Sequence, residues 1–569
     1  MLVVPVVAYF WFIHRYGVNV IWNDAWGDIG VIGHARSGTL SLPILWAQHT
    51  ENRILFPNLI VLALAYTTHY NVVTEEYLSG VLLVAATAMV ILAHRRRSPD
   101  TPWSFYLPVV LLMFTLAGGN QYYGGANTLY GFAMSWYVVL LSLAAALFLL
   151  DRRRLTGLVL AGSIAVAVVG SFSSIQGLLI WPVGLVLLLM RGRTRNAIVA
   201  WIVSGAVTGV VFLYHYNDKQ GSGGLSYGLS HPVVFLKFFL FSIGDNIVGQ
   251  QRTQPPHGFS DVDLVLGVVV LCIALWVVVT NGLRRDADSA RPLGVALTWF
   301  GLLCAVTVTI SRTWQGFWQT PRFVMFEVLI WVGCYLTLLA RWAPPSGDGR
   351  PDRGAGKLRG RATGKTTPVP GRKVVDGLVL GVLIVLVGAQ VVVGVPAGIR
   401  DAGLWHQRQL VTADVTANLD QAPDGLLEDE LGQWPPGFVR QMTQVARADR
   451  LSLFATPAAG ALQHQGLFPS VVTQVLSPAD GATVSGVTWL IANNLAPRAH
   501  TTVQFHLSLQ PSHDVLIGTA TETLIGYLLR WDSTHETNGW YQLRSEVVGP
   551  GGKVVASSSP VWVQVVNKH

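Results

Sequence analysis

Five ionisable side chains crowd one short stretch near the start of the chain. Asp24 and Asp28 lie in WNDAWGD (Trp22 to Asp28), and His49, Glu51 and Arg53 lie in QHTENRILFP (Gln48 to Pro57). Apolar sequence flanks the stretch on both sides, and only 12% of the chain is charged. Ionisable groups beside a bilayer are costly to desolvate and mark a functional site by default. Carboxylates within reach of an arginine and a histidine suit proton abstraction beside an anionic group. Asp24 fits the general base, with a helix cap or plain surface carboxylate as the alternative. Asp28, four residues on, shares a helix face with Asp24 if the segment is helical. It would then orient an acceptor or raise the pKa of Asp24 by like-charge repulsion. Glu51 completes the candidate catalytic set. Arg53 can grip a phosphate in a bidentate fashion, or simply anchor the apolar segment that follows it. His49 is a binding candidate or a surface histidine, and Trp26 is a candidate substrate contact within the same motif.

The elements that position these groups are set by composition. Hydrophobic residues make up 51% of the 569 residues and the mean hydropathy is +0.45, which defines a polytopic membrane protein. The net charge of +8 sits in short clusters beside apolar segments, so it reads as a topology signal and not as a nucleic-acid footprint. Cys272, Cys304 and Cys334 fall inside apolar runs and read as packing residues.

Eleven apolar runs near the spanning length of roughly 20 residues fall at 1–14, 75–94, 103–118, 129–150, 155–170, 176–190, 197–216, 262–281, 293–311, 321–340 and 374–396. Basic clusters follow only the even-numbered runs: Arg95 to Arg97, Arg152 to Arg154, Arg191/Arg193/Arg195, Arg284-Arg285, and the Gly/Arg/Pro linker 341–373. The positive-inside rule makes their side cytoplasmic. The N-terminus is then cytoplasmic, and the first loop (15–74) and the region after 397 are extracytoplasmic. The run 54–70 begins with charge and is short, so it is expected to lie in the interface and not to span. The first run lacks a basic leader and a small-residue cleavage site, and reads as a retained span. ATP and nucleotide-sugars are cytoplasmic, so chemistry on the outer face needs a donor delivered through the membrane.

Residues 397–469 read as a mixed segment, helical over Asp401 to Asp420 and Pro436 to Arg450, with an acidic turn at Glu428-Asp429-Glu430. From about 470 the pattern alternates in short runs: Val487 to Ala492, Thr502 to Leu509, Trp540 to Val548, Lys553 to Ser558 and Val561 to Val566. Roughly seven short strands spaced about ten residues apart predict an all-β sandwich over 470–569. The phrases SPADGATVSG, TNGWYQL and SSPVWVQVVN resemble bacterial immunoglobulin-like domains, which serve as spacers or bind carbohydrate. Trp489, Trp531 and Trp540 are candidate stacking faces, core packing being the commoner use.

The whole arrangement resembles the C-type integral membrane glycosyltransferases (the GT-C superfamily). A short first span leads to a large outer loop with an early Asp, then a surface helix, many spans and an outer soluble domain. Within the superfamily, uncharacterised bacterial members carry HD-x-W-D and QHNEHRI-x-P-RL in this loop. Here NDAWGD (Asn23 to Asp28) and QHTENRILFPNL (Gln48 to Leu59) stand in those places. SFSSIQGLLIWPVGL (Ser171 to Leu185) and TPRFVMFEVLIW (Thr320 to Trp331) resemble later parts of the pattern. Thr50 stands where Asn is usual, Asn52 where His is usual and Phe323 where Tyr is usual.

The resemblance covers roughly 1–340. It implies a catalytic module that takes a monosaccharide from a polyprenyl-phosphate carrier and passes it to a glycan or glycolipid acceptor at the outer face of a bacterial plasma membrane. It implies Asp24 as the base. At the end of a late span, Arg322, with Arg312 and Lys219 behind it, is a candidate to meet the carrier phosphate or simply snorkels, and Tyr122 with its neighbours Asn120, Gln121 and Tyr123 is a candidate sugar-pocket lining or a turn. The loop 217–261 reads as a flexible lid or a mobile spacer. No HExxH, paired CxxC or EF-hand spacing is present, so no resident cofactor or metal is expected, although Asp24 and Asp28 leave a divalent ion open. A transporter, flippase or ligase of lipid-linked glycans is the alternative function.

Overall fold

The computed structural model describes residues 1–115, 128–217, 223–244, 261–281, 284–315, 323–342, 370–431, 434–455, 473–494, 501–510, 513–523 and 525–567. Tyr122 with its neighbours, Lys219, Arg322 and most of the linker 341–373 lie outside them.

Seven helices among the described residues are long and apolar enough to cross a bilayer: Val72–Arg97, Gly131–Leu150, Arg195–Leu213, Asp261–Asn281, Arg291–Arg312, Val324–Trp342 and the run Lys373–Ala417. The chain is a helical membrane protein with an appended β domain. The other expected spans are shorter. Val3–Tyr16 has 14 residues, and Trp103–Met113, Gly157–Ser171 and Ile175–Met190 are also below 18.

The two ends of the bundle differ in chemistry. At one end the basic clusters converge on a single buried acid, Asp151. The Arg191 Nε lies 2.7 Å from its Oδ1 and the Arg97 Nε 3.5 Å from its Oδ2. Arg191 also donates to the carbonyls of Asp286 and Ser289 at 2.8 and 2.7 Å. The four clusters at Arg95 to Arg97, Arg152 to Arg154, Arg191 to Arg195 and Arg284-Arg285 therefore share one end, and Arg97 and Arg191 are buried ties and not merely surface charge.

The first loop lies at the opposite end. Its hairpin docks on the C-terminal end of Arg195–Leu213 and bonds to the Ser174-Ile175 turn. The helix Leu55–Thr68 starts and finishes at this end. Phe56 N donates to Phe172 O at its start, and after its end Tyr70 reaches Asp28 and Val72 N donates to Asn19. Its 14 residues measure about 21 Å, short of the roughly 30 Å hydrocarbon core. It does not cross the bundle.

Small residues let two of the long helices touch. A Cβ on Gly333 would sit 2.4 Å from Gly294 O and 2.5 Å from Thr298 N, and one on Gly294 would sit 2.6 Å from Gly333 O. Close backbone approach of this kind is the usual way helices associate in lipid. Gly333→Leu is expected to destabilise the fold by about 3 kcal/mol or more, because backbone cannot yield as a side chain can. Thermal unfolding in detergent checks this against Gly381→Leu, where a Cβ meets nothing within 4 Å. Equal melting of the two variants contradicts it.

The segment 217–261 departs from a plain lid. Among its described residues, Gly223–Ser230 and Pro232–Gly244 are helices, and the second packs its Phe238, Phe241 and Ser242 inward. Gly244 and Gly267 make a close crossing with the helix Asp261–Asn281, a Cβ on Gly267 falling 1.9 Å from Leu240 O.

The last long helix does not stop at 396. It runs on through a π turn at Gln390–Gly394 into Val395–Ala417, so the segment after 396 begins as a continuation of the same helix. The expected acidic turn at Glu428 to Glu430 is instead part of the helix Asp424–Leu431. Leu426, Leu427 and Leu431 recur at helical spacing, which the run of three acids between them disguises. The helix Pro436–Ala448 falls where expected.

Two sheets face one another in the C-terminal domain. One orders Ala482–Val484, Val561–Val565, Gly539–Val548, Thr502–Gln510 and His513–Thr519, with Val554–Ser557 beside Gly539–Val548. The other orders Thr473–Ser477, Val487–Asn494, Gly526–Asp532 and Thr521–Thr523. Alternate residues (Val475, Leu490, Phe505, Trp531, Leu543, Val563) fill the core between them. The ten described strands exceed the roughly seven expected, and Trp531 is a core residue at 4% exposure. The outer face of the second sheet is docked: Leu476, Ile491 and Leu528, with Trp489 beside them, join Val411, Leu426 and Leu427 of the helical segment in one cluster.

Candidate active site

The loop helix Ala25–Arg36 starts immediately after Asp24. Asn23 takes a left-handed backbone, φ +51, and is held from two sides. Its N–H donates to Leu431 O at 3.0 Å, and its carbonyl accepts from Trp434 Nε1 at 2.9 Å. Asp24 itself is already helical (φ −59, ψ −25) and its carboxylate makes no capping bond. The cap alternative therefore fails on geometry. Instead the carboxylate faces the His49 ring, with Oδ1 3.3 Å from Nε2, and Oδ2 accepts from the Tyr130 hydroxyl at 3.1 Å. Its side chain is 31% exposed, so it is both held and reachable.

His49 is placed by a two-residue hairpin, Gln48–His49 paired with Asn52–Arg53. The turn puts Thr50 at φ +48, a conformation that a β-branched residue adopts at a cost and Asn adopts more easily. The imidazole packs on Phe132, ring centroids 4.9 Å apart. Burial by itself would lower its pKa. Pairing with Asp24 and the charges of Asp28 and Glu51 more than offset this, so the net direction is upward.

Asp28 follows one turn later on the same helix face, as its spacing requires. It is only 3% exposed, with Oδ2 accepting from Tyr70 OH at 2.8 Å. Burial pushes its pKa up to about 7, against the Tyr70 bond and the nearby His49 charge. Asp28 is thus buried behind Asp24 and does not face the open side. A carboxyl near 7 when folded and about 4 when unfolded stabilises most below pH 4. That contribution is lost as pH rises toward 7. Asp28→Asn keeps an acceptor for Tyr70 and removes the ionisation. It is expected to raise the melting temperature at pH 8 by about 2–4 °C and to change it little at pH 4. Equal shifts at both values contradict this.

Glu51 occupies the hairpin tip and pairs with Arg312, the last residue of Arg291–Arg312. This joins the first loop to a late helix across 261 residues. Arg53 is spent elsewhere. It is 3% exposed and donates to the carbonyls of Trp46, Tyr214 and His215 at 2.8, 2.8 and 3.2 Å, stacking over the Trp46 ring. Its fork holds the hairpin and leaves no open edge for a phosphate. Trp26 is likewise not a contact surface: it is fully buried in the cluster between the loop helix and the helical segment after 397.

Sequence reasoning missed Tyr130, a Trp22–Trp405 contact behind it (centroids 5.1 Å), and two buried acids, Glu75 and Glu76. A small cavity of about 10 Å³, lined by Trp22, Glu76, Tyr130, Gly131, Trp405 and Gln409 among others, lies beside this group. Gly131 is the signal that was available: a Cβ there would meet Glu75 Oε2 at 2.3 Å. Among the described residues no three His, Cys, Asp or Glu side chains are grouped to hold a metal ion.

The site and fold together define an integral membrane helical protein whose charged loop is clamped at one end of the bundle. The chain matches no protein-family model, no curated protein and no solved structure.

Proposed function

We propose that the chain is a membrane glycosyltransferase that moves a monosaccharide from a polyprenyl-phosphate carrier to a cell-envelope acceptor, with Asp24 as general base. The observation that carries this reading is the partly exposed Asp24 carboxylate, aimed by His49 and Tyr130 and standing in the same loop as the Glu51–Arg312 pair. Asp24 takes the proton of the acceptor hydroxyl as that oxygen bonds to the anomeric carbon. The bond from that carbon to the phosphate oxygen breaks, and the electron pair leaves with the carrier phosphate. A cation must meet that charge, and with Arg53 committed to carbonyls the proposal assigns it to Arg312, beside Glu51 in the same loop region. Arg322 belongs to the same proposal, outside the described residues. The eleven-span topology, with a cytoplasmic N-terminus and an extracytoplasmic immunoglobulin-like domain in a bacterial plasma membrane, is part of this reading.

One observation favours a transporter of lipid-linked glycans: Glu75, Glu76 and Glu327 are buried in apolar helices. Intramembrane acids mark transport paths. All three, however, fall within the first five residues of their helices, at the end of the bundle that carries the loop, which suits a site at that face better than a path through the middle.

Binding of a radiolabelled polyprenyl-phosphate monosaccharide to the chain in nanodiscs tests the assignment of the phosphate. Arg312→Ala is expected to weaken it about tenfold, roughly 1.4 kcal/mol. Unchanged affinity moves the phosphate away from Arg312.

A further inference from the structure

Asp24 is helical and its carboxylate makes no capping bond, so its direction is inherited from the residue before it. That residue is Asn23, at φ +51. Its carbonyl accepts from Trp26 N at 3.1 Å, which opens the loop helix, and from Trp434 Nε1 at 2.9 Å. Its N–H donates to Leu431 O at 3.0 Å. Both backbone polar groups of Asn23 are therefore held, each by the helical segment after 397. Left-handed backbone is open to glycine and Asn but costs other residues about 1–2 kcal/mol.

Trp434 reaches the site a second time. A Cβ on Gly27 would lie 3.9 Å from Trp434 Cζ2 and 3.9 Å from His49 Cε1 and Nδ1. The indole and the imidazole thus border one spot over the first turn of the loop helix. The indole is itself fixed by stacking on Phe438, centroids 4.6 Å apart. Farther along the same two helices the contact is packing alone: Met442 Sδ would lie 3.7 Å from a Cβ on Gly30.

We propose that Trp434 is a positioning residue of the loop site: with Leu431 O it holds the Asn23 backbone so that the Asp24 carboxylate meets His49 and Tyr130. Its consequence for transfer rests on the glycosyltransferase reading; its consequence for the Asp24–His49 pair does not.

The test uses the full chain in detergent. Diethyl pyrocarbonate modification of His49, read by mass spectrometry across pH, reports the pair, and single-turnover transfer reports the chemistry. Burial lowers the His49 pKa and pairing with Asp24 raises it. Trp434→Phe keeps the Phe438 stack and removes the N–H donor, so the midpoint of His49 modification is expected to move to lower pH. Transfer is expected to fall about tenfold, as small misplacements do, with donor affinity within about twofold of wild type. Asn23→Ala opposes the left-handed backbone and is expected to act in the same direction, while Asn23→Gly stays close to wild type. These two decide the matter should Trp434→Phe fail to accumulate. Met442→Ala loosens the packing without touching the clamp. It is expected to melt lower and to leave the His49 midpoint in place. An unchanged midpoint in Trp434→Phe, an equal shift in Met442→Ala, or no difference between Asn23→Ala and Asn23→Gly overturns the proposal. A wild type that transfers no sugar overturns the glycosyltransferase reading instead, and the His49 midpoint still decides the positioning.

Discussion

Asp24→Asn is expected to cut sugar transfer about a thousandfold, within the range general-base removal produces, while donor affinity stays within about twofold. The substitution keeps the shape and an acceptor oxygen for the Tyr130 hydroxyl. It removes the group that takes the proton. It also removes the main partner that raises the His49 pKa, so the imidazole is expected to titrate lower in the variant. Both effects are read from single-turnover transfer rates and from the pH dependence of His49 modification. Transfer that survives in Asp24→Asn would shift the base to Glu51 sooner than to Asp28, because Asp28 is buried and stays protonated up to about pH 7.

Asp151→Ala is expected to have the largest effect on folding. The carboxylate is fully buried and is the shared partner of Arg97 and Arg191, which are 8% and 5% exposed. Removing it leaves two buried guanidinium groups facing each other. Losing one partner of a buried pair costs about 3–5 kcal/mol, and two cations share this one. The variant is expected to melt well below wild type or fail to accumulate. Adding Arg191→Met to Asp151→Ala removes one stranded charge and should recover part of the loss. A wild-type melting temperature for Asp151→Ala would mean the cluster is wet, with its charges solvated from the membrane surface.

Much of the bundle was legible because lipid enforces it. Apolar runs such as 262–281 and 293–311 map onto Asp261–Asn281 and Arg291–Arg312 within a residue or two. Four of the five basic clusters share one end among the described residues. What the clusters hid was Asp151, a lone acid next to three arginines that reads as part of a charged turn until its partners are seen. The first loop was legible as chemistry, and Asp24 and Asp28 do share a helix face. The division of labour within it was not. Arg53 and Trp26 have the right types for a binding site, but packing against carbonyls from residue 214 onward and against the helical segment after 397 consumes them. Such contacts span well over a hundred residues, and no local pattern encodes them. The same holds for Trp434, which braces Asn23 across 411 residues.

In the β domain, strands with alternation were read correctly, as in Gly539–Val548. His513–Thr519 was missed. Its two exposed apolar residues, Val515 and Leu516, are adjacent and break the period at an edge.

The measurement that tests the central claim most directly is transfer itself. Purified chain in nanodiscs is given a panel of radiolabelled polyprenyl-phosphate monosaccharides and an envelope-glycan extract. Label moving from lipid to glycan with at least one donor, and not with Asp24→Asn, is the predicted result. Donor bound by wild type but never transferred from any member of the panel would contradict the account.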